Sequence, residues 1–144
     1  MTNIPTLGLD EALKAISAIT AELKKRNLTA TIAVADAFGE LIALHRLDGS
    51  PLAPINIAMN KAWTAARERQ PTRDIGQAAR HPQTGFDIAY YSDPRYIGWG
   101  GGVPVLLNGK VIGSVAVSGL AEEIDAELAE LGARAIVGPE SFPR

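Results

Sequence analysis

The sequence predicts an α+β fold, a central antiparallel sheet flanked by helices in a two-layer packing. Three observations predict it. The strand-like segments come as adjacent pairs, each pair is joined by a short glycine-containing turn, and amphipathic helical segments separate the pairs. Strands paired in this way make antiparallel hairpins and disfavour parallel βαβ crossovers.

Residues 9–26 read as a helix with Leu9, Leu13, Ile16, Ile19 or Thr20, and Leu23 at helical spacing. Asp10 and Glu11 begin it and Lys24, Lys25 and Arg26 end it, as the helix dipole prefers. Asn27 is its stop. Residues 30–35 and 40–47 read as strands around the turn Asp36-Ala37-Phe38-Gly39. In the second strand Leu41, Ala43, His45 and Leu47 fall on one face, and Ile42, Leu44, Arg46 and Asp48 on the other.

Asp48-Gly49-Ser50-Pro51 breaks that strand, and residues 54–69 read as a helix opened by Pro54 and closed before Pro71. Its expected apolar stripe is Ile55, Met59, Ala62 or Trp63, and Ala66. Thr72-Arg73-Asp74 is read as the cap of a short helix over 73–79. Residues 81–102 carry no clear period and are rich in Pro, Gly and aromatics, which marks a functional loop more than a disordered one. Residues 103–107 and 111–117 form the second hairpin, turned by Asn108-Gly109, the strongest local signal in the chain. A last helix spans 121–134, with Ile124, Leu128, Leu131 and Ala135 on one face, and an irregular tail covers 138–144.

A length of 144 residues fits a single domain over 1–144, with its core at about 9–134. With no cysteine, disulfides and thiolate chemistry are excluded. A net charge of −2 gives no footprint for nucleic acid or an anionic membrane. No secretory signal or long apolar run is visible, so the expected location is cytoplasmic. Hydrophobic residues make up 47% but aromatics only 6%, so the core must be aliphatic and alanine-rich. The scarce aromatics gather late, at Phe86, Tyr90, Tyr91, Tyr96 and Trp99, as a ligand wall or a subunit contact would have them.

Four segments together resemble the GlcG/HbpS-like (DUF336) family. They are IAVADAFGELIALHRLDGSP, NIAMNKAWTA, GGGVPVLLNGKVIGSVAVSG and IDAELAELG, in the expected order. The resemblance implies a profilin- or PAS-like fold and homo-oligomers. It also makes haem a possible cofactor, since several members are described as haem-binding, and it connects the chain with catabolic proteins.

Arg46, Asp48 and Lys61 are read as one polar cluster at the end of the first hairpin. There Arg or Lys would hold a carboxylate and Asp48 would fix the arginine. The alternative is an ion pair tying helix to sheet. Gly100, Gly101 and Gly102 permit close backbone approach, and Trp99, Tyr96 and Tyr91 offer stacking faces. The alternative there is a flexible entry into the next strand. His45 and His81 are the two histidines, each a candidate to meet a ligand or an iron. No metal-site spacing, phosphate loop or serine-nucleophile elbow is present, so no metal site is assigned.

Three readings follow. The first is a module binding a flat or acidic small molecule, such as haem, between sheet, central helix and aromatic loop. The second is a cofactor-independent isomerase, lyase or hydrolase acting on a small organic acid, with Lys61 or His45 as base. The third is a structural partner in an oligomer.

Overall fold

The computed structural model describes residues 1–138. Four strands form one antiparallel sheet in the order β2-β1-β4-β3. Strands β1 (Thr31–Asp36) and β2 (Leu41–Arg46) are the first hairpin, and β3 (Gly102–Leu107) and β4 (Lys110–Ser118) the second. The hairpins join through β1 and β4, with Thr31 opposite Ser118 and Asp36 opposite Gly113. The second turn takes its shape from Asn108 and Gly109, whose φ angles are +52° and +77°. Both values suit the turn that matches strand twist.

Side-chain alternation divides the sheet into two unlike faces. One carries Ile32, Val34, Val103, Val105, Val115 and Val117 and is covered by helices α1 (Leu9–Lys25) and α4 (Glu122–Val137). The other carries Ala33, Ala35 and Ala116 and is covered by α2 (Pro54–Glu68) through Ala58 and Ala62. The aliphatic face supplies most of the hydrophobic stabilisation, at roughly 1.5–3 kcal/mol for each fully buried Val, Ile or Leu. The alanine face supplies proximity, since small side chains let a helix settle close to the strands. The α+β class and the sheet flanked by helices agree with the sequence reading, and the helices occupy both faces. Helix α3 (Thr72–Ala79) follows α2, and a 3-10 turn at Ile88–Tyr91 is the regular element of the long loop.

Several details differ from the sequence reading, mostly for one reason. Ile16, Ile19, Leu23 and Leu128 are buried as expected, but alanine and glycine take several places expected for other large aliphatics. In α1, Leu9 and Leu13 are 57% and 42% exposed, and Ala12 and Ala15 are buried in their place. In α2 the stripe is Ala58, Lys61, Ala62 and Ala65, while Ile55 and Met59 are only partly covered. In α4 it is Asp125, Leu128, Ala129 and Gly132. In β2 a bulge places both Ile42 and Ala43 against the aliphatic cluster, so the simple alternation begins at Ala43. Thr72 does not cap α3. Its hydroxyl accepts from the Gly102 amide at 3.0 Å. From residue 139 onward, the expected irregular tail lies outside the described residues.

Candidate functional site

Lys61 sits two turns into α2, on the stripe that faces the sheet. Its ammonium donates to the Val117 carbonyl at 3.1 Å and to Asp125 Oδ2 at 3.2 Å. Both side chains are 3% exposed. The other Asp125 oxygen accepts from the Leu120 amide at 3.1 Å, so this one carboxylate ties α2, the end of β4 and the start of α4 together. Burial pushes the Lys61 pKa down, against the pull of Asp125. Burial also raises Asp125 to about 6, opposed by Lys61 and by the Leu120 and Gly119 amides.

The glycine run closes over this pair. A Cβ on Gly101 would lie 2.6 Å from Lys61 Nζ and 2.9 Å from Asp125 Cβ, and Gly101 has a φ of +128°. A Cβ on Gly102 would lie 2.5 Å from the Lys61 carbonyl oxygen. The Gly100 amide donates to Glu122 Oε1 at 2.6 Å and the Gly102 amide to Thr72. These glycines therefore permit a tight protein–protein contact, and two of their three amides already have partners inside the chain.

The expected cluster of Arg46, Asp48 and Lys61 does not form. Strand β1 lies between β2 and β4, which separates the two at roughly 10 Å from strand spacing alone. Lys61 reaches over β4 and takes Asp125 as its partner instead. The sequence reading missed Asp125 as a site residue, although a signal was present. A carboxylate at 125 shares a helical face with Leu128, Ala129 and Gly132, as Lys61 does with Ala58, Ala62 and Ala65.

At the opposite edge of the sheet, β2 and α1 enclose a groove of about 500 Å³. His45, Arg46, Asp48, Lys24 and Thr20 contribute to its walls. It adjoins a trough of about 580 Å³ floored by Leu13, Ile16 and Ala21, and the two share Thr20, Lys24 and His45. Thr20 Oγ1 is buried there without a hydrogen-bond partner. Among the described residues, Lys24, Arg46 and Asp48 enter no ion pair. His45 thus belongs to the α1 side of the sheet, away from α2 and the aromatic loop that were expected to enclose it.

The aromatic loop packs mainly on the protein itself. Tyr96 meets the Trp63 ring edge-on at 4.7 Å and meets Tyr91 at the same distance. Phe86 stacks on Tyr91 at 5.8 Å. The Arg95 and Arg67 guanidinium groups lie 4.1 and 4.9 Å from the Trp63 ring centre, on a side chain that is only 4% exposed. Thr64 completes this clamp, accepting from the Ile97 amide and donating to the Arg95 carbonyl. Trp99 is different: it is 56% exposed and borders a smaller cavity of about 240 Å³ with Arg80 and Phe86. His81 is exposed, and its Nδ1 accepts from the Gln83 and Thr84 amides, which makes it a turn-forming residue. No helix among the described residues is long and apolar enough to cross a membrane.

Residues 7–134 match the family model described as "Haem degrading protein HbpS-like". An uncharacterised 15.0 kDa protein from the dhaT-dhaS intergenic region of Citrobacter freundii is 36% identical over 127 residues, covering 88% of this chain and 89% of that protein. Protein GlcG of Escherichia coli K12 is 38% identical over 103 residues, covering 72% and 74%. Among solved structures, Klebsiella pneumoniae protein ORFY, of family DUF336, superposes with a TM-score of 0.88 at 29% identity, covering 94% of both chains. The structure described as a PduOC:heme complex has the same fold, with a TM-score of 0.84 at 21% identity over 92% of this chain and 96% of that one. With the model matched from the start of α1 through most of α4, and with relatives at this identity, the chain belongs to the GlcG/HbpS-like family.

Proposed function

We propose that this protein binds a flat, acidic small molecule in the groove between α1 and β2, with haem as the leading candidate. The observation that carries the reading is the position of His45, on the wall shared by a polar groove and an apolar trough. Such a pair of adjoining spaces suits a ligand that is apolar over its area and charged at its rim. Lys24 supplies a cation that enters no ion pair among the described residues, for a carboxylate such as a propionate. His45 would offer an imidazole nitrogen to a haem iron. The family's description as haem degrading, and the haem complex of a protein with the same fold, support the choice of ligand.

Titration with hemin tests this reading. The expected result is a one-to-one shift of the Soret band that is lost in His45→Ala and kept in His81→Ala. No stoichiometric shift, or a shift unchanged in His45→Ala, overturns it.

The second reading is acid–base catalysis on a small organic acid. One observation favours it: His45 and Asp48 line the same cavity. Lys61 is not its base, because a group 3% exposed and bonded to Asp125 cannot reach a substrate proton.

A further inference from the structure

We infer that the first turn of α2, with the row of side chains beneath it on the sheet, forms a binding site for a small oxyanion, a carboxylate or a phosphate group. This lies on the opposite face of β2 from the His45 groove and goes beyond the function proposed above.

The row is fixed by strand register. Thr31 stands directly opposite Arg46 on β2 and opposite Ser118 on β4. Two residues along each strand, Ala33, Leu44 and Ala116 pack in the cluster against α2, so alternation turns Thr31, Arg46 and Ser118 toward α2 as well. The level along the helix follows from two contacts. Ser114 donates to the Ala62 carbonyl, and five residues further along, just past the end of β4, a Cβ on Gly119 would lie 3.7 Å from Pro54 Cγ. Ser118, and Thr31 beside it, therefore lie beneath the helix's first turn.

That turn is electropositive and only partly filled. Helix α2 has 15 residues, no side-chain cap at its N-terminus and no acidic residue in its first turn. Pro54 has no N–H and the Ile55 amide donates to the Leu52 carbonyl at 3.1 Å, so the Asn56 amide and the partial positive charge of the helix start are what is left for a ligand.

The hydroxyls around it are also unused. Thr31 is 0% exposed, and its Oγ1 has no hydrogen-bond partner. Ser50 Oγ, in the segment entering α2, is likewise buried and unpartnered. A buried hydroxyl without a partner is costly and rare in a finished core. The Thr31 hydroxyl, beneath the helix start, therefore indicates a missing acceptor there. Arg46, which enters no ion pair among the described residues, supplies the matching charge.

The test is titration of the isotope-labelled protein with inorganic phosphate and, separately, with succinate, followed by amide NMR. The expected result is saturable shifts at Asn56, Ile57 and Gly119 with at least one probe, and the preferred probe separates phosphate from carboxylate recognition. Thr31→Val keeps the shape of the side chain, and its spectrum reports directly that the fold is intact. Thr31→Val and Arg46→Ala should each weaken binding by about tenfold or more, as expected for loss of a charge-assisted or buried hydrogen bond. Absence of saturable shifts at these amides with both probes, or wild-type binding in both variants, overturns the inference.

Discussion

Lys61 on α2 with Asp125 on α4, and His45 on β2 with Lys24 on α1, occupy separate regions around one sheet. They differ in how much bonding capacity is already used. In the first region the ammonium has two acceptors, the carboxylate has a cation and an amide, and a glycine backbone closes over both. In the second, Lys24 and His45 line open cavities and Thr20 Oγ1 has no partner. Polar residues of the same types thus serve construction in one place and remain available for a ligand in the other. Burial is what separates the two roles.

Substitution at Asp125 is the most severe way to probe this contrast. Asp125→Ala leaves the Lys61 ammonium buried without its carboxylate, which should cost about 3–5 kcal/mol. Replacing both partners, as Lys61→Met with Asp125→Leu, should recover most of that loss, because an apolar pair needs no counter-charge. Chemical denaturation midpoints of the wild type and these two variants check this. By contrast, His45→Ala on the exposed edge should change stability by no more than about 0.5 kcal/mol while removing hemin binding.

A smaller effect follows from pH. Asp125 has its pKa raised from 3.8 to about 6 in the folded chain. A group raised in this way binds its proton more tightly when folded. Its contribution to stability is complete below the unfolded value and is lost as pH rises through about 6. Relative to Asp125→Asn, the wild type should therefore gain stability as pH falls from about 7 to about 4. A difference that stays constant, or one that grows as pH rises, would contradict the assigned direction.

The same contrast explains what was legible in the sequence. Paired strands, the Asn108-Gly109 turn and the helix boundaries depend on local signals, and these were readable. The buried helix faces are legible only in part: Ile16, Ile19, Leu23 and Leu128 are buried as expected, whereas Leu9, Leu13, Ile55 and Met59 give way to Ala12, Ala15 and Ala58. Close helix–sheet packing selects small residues, and a periodicity read from large ones is then out of phase. That phase error also hid Asp125 from the list of site residues. Arg46 and Lys61 were grouped because they are near in sequence, whereas sheet order places β1 between β2 and β4. Tyr96 and Tyr91 stand where the sequence suggests a ligand wall or a subunit contact, but a scarce aromatic marks packing as readily as stacking, and here they hold the loop onto Trp63.

The most direct test of the account is to map where a porphyrin lands. Titrating the labelled protein with diamagnetic zinc protoporphyrin should shift the amides of Thr20, Lys24 and residues 45–47 and leave those of Lys61, Gly101, Leu120 and Asp125 in place. Shifts centred on Gly100–Gly102, Leu120 and Asp125, with the α1–β2 groove unmoved, would contradict it.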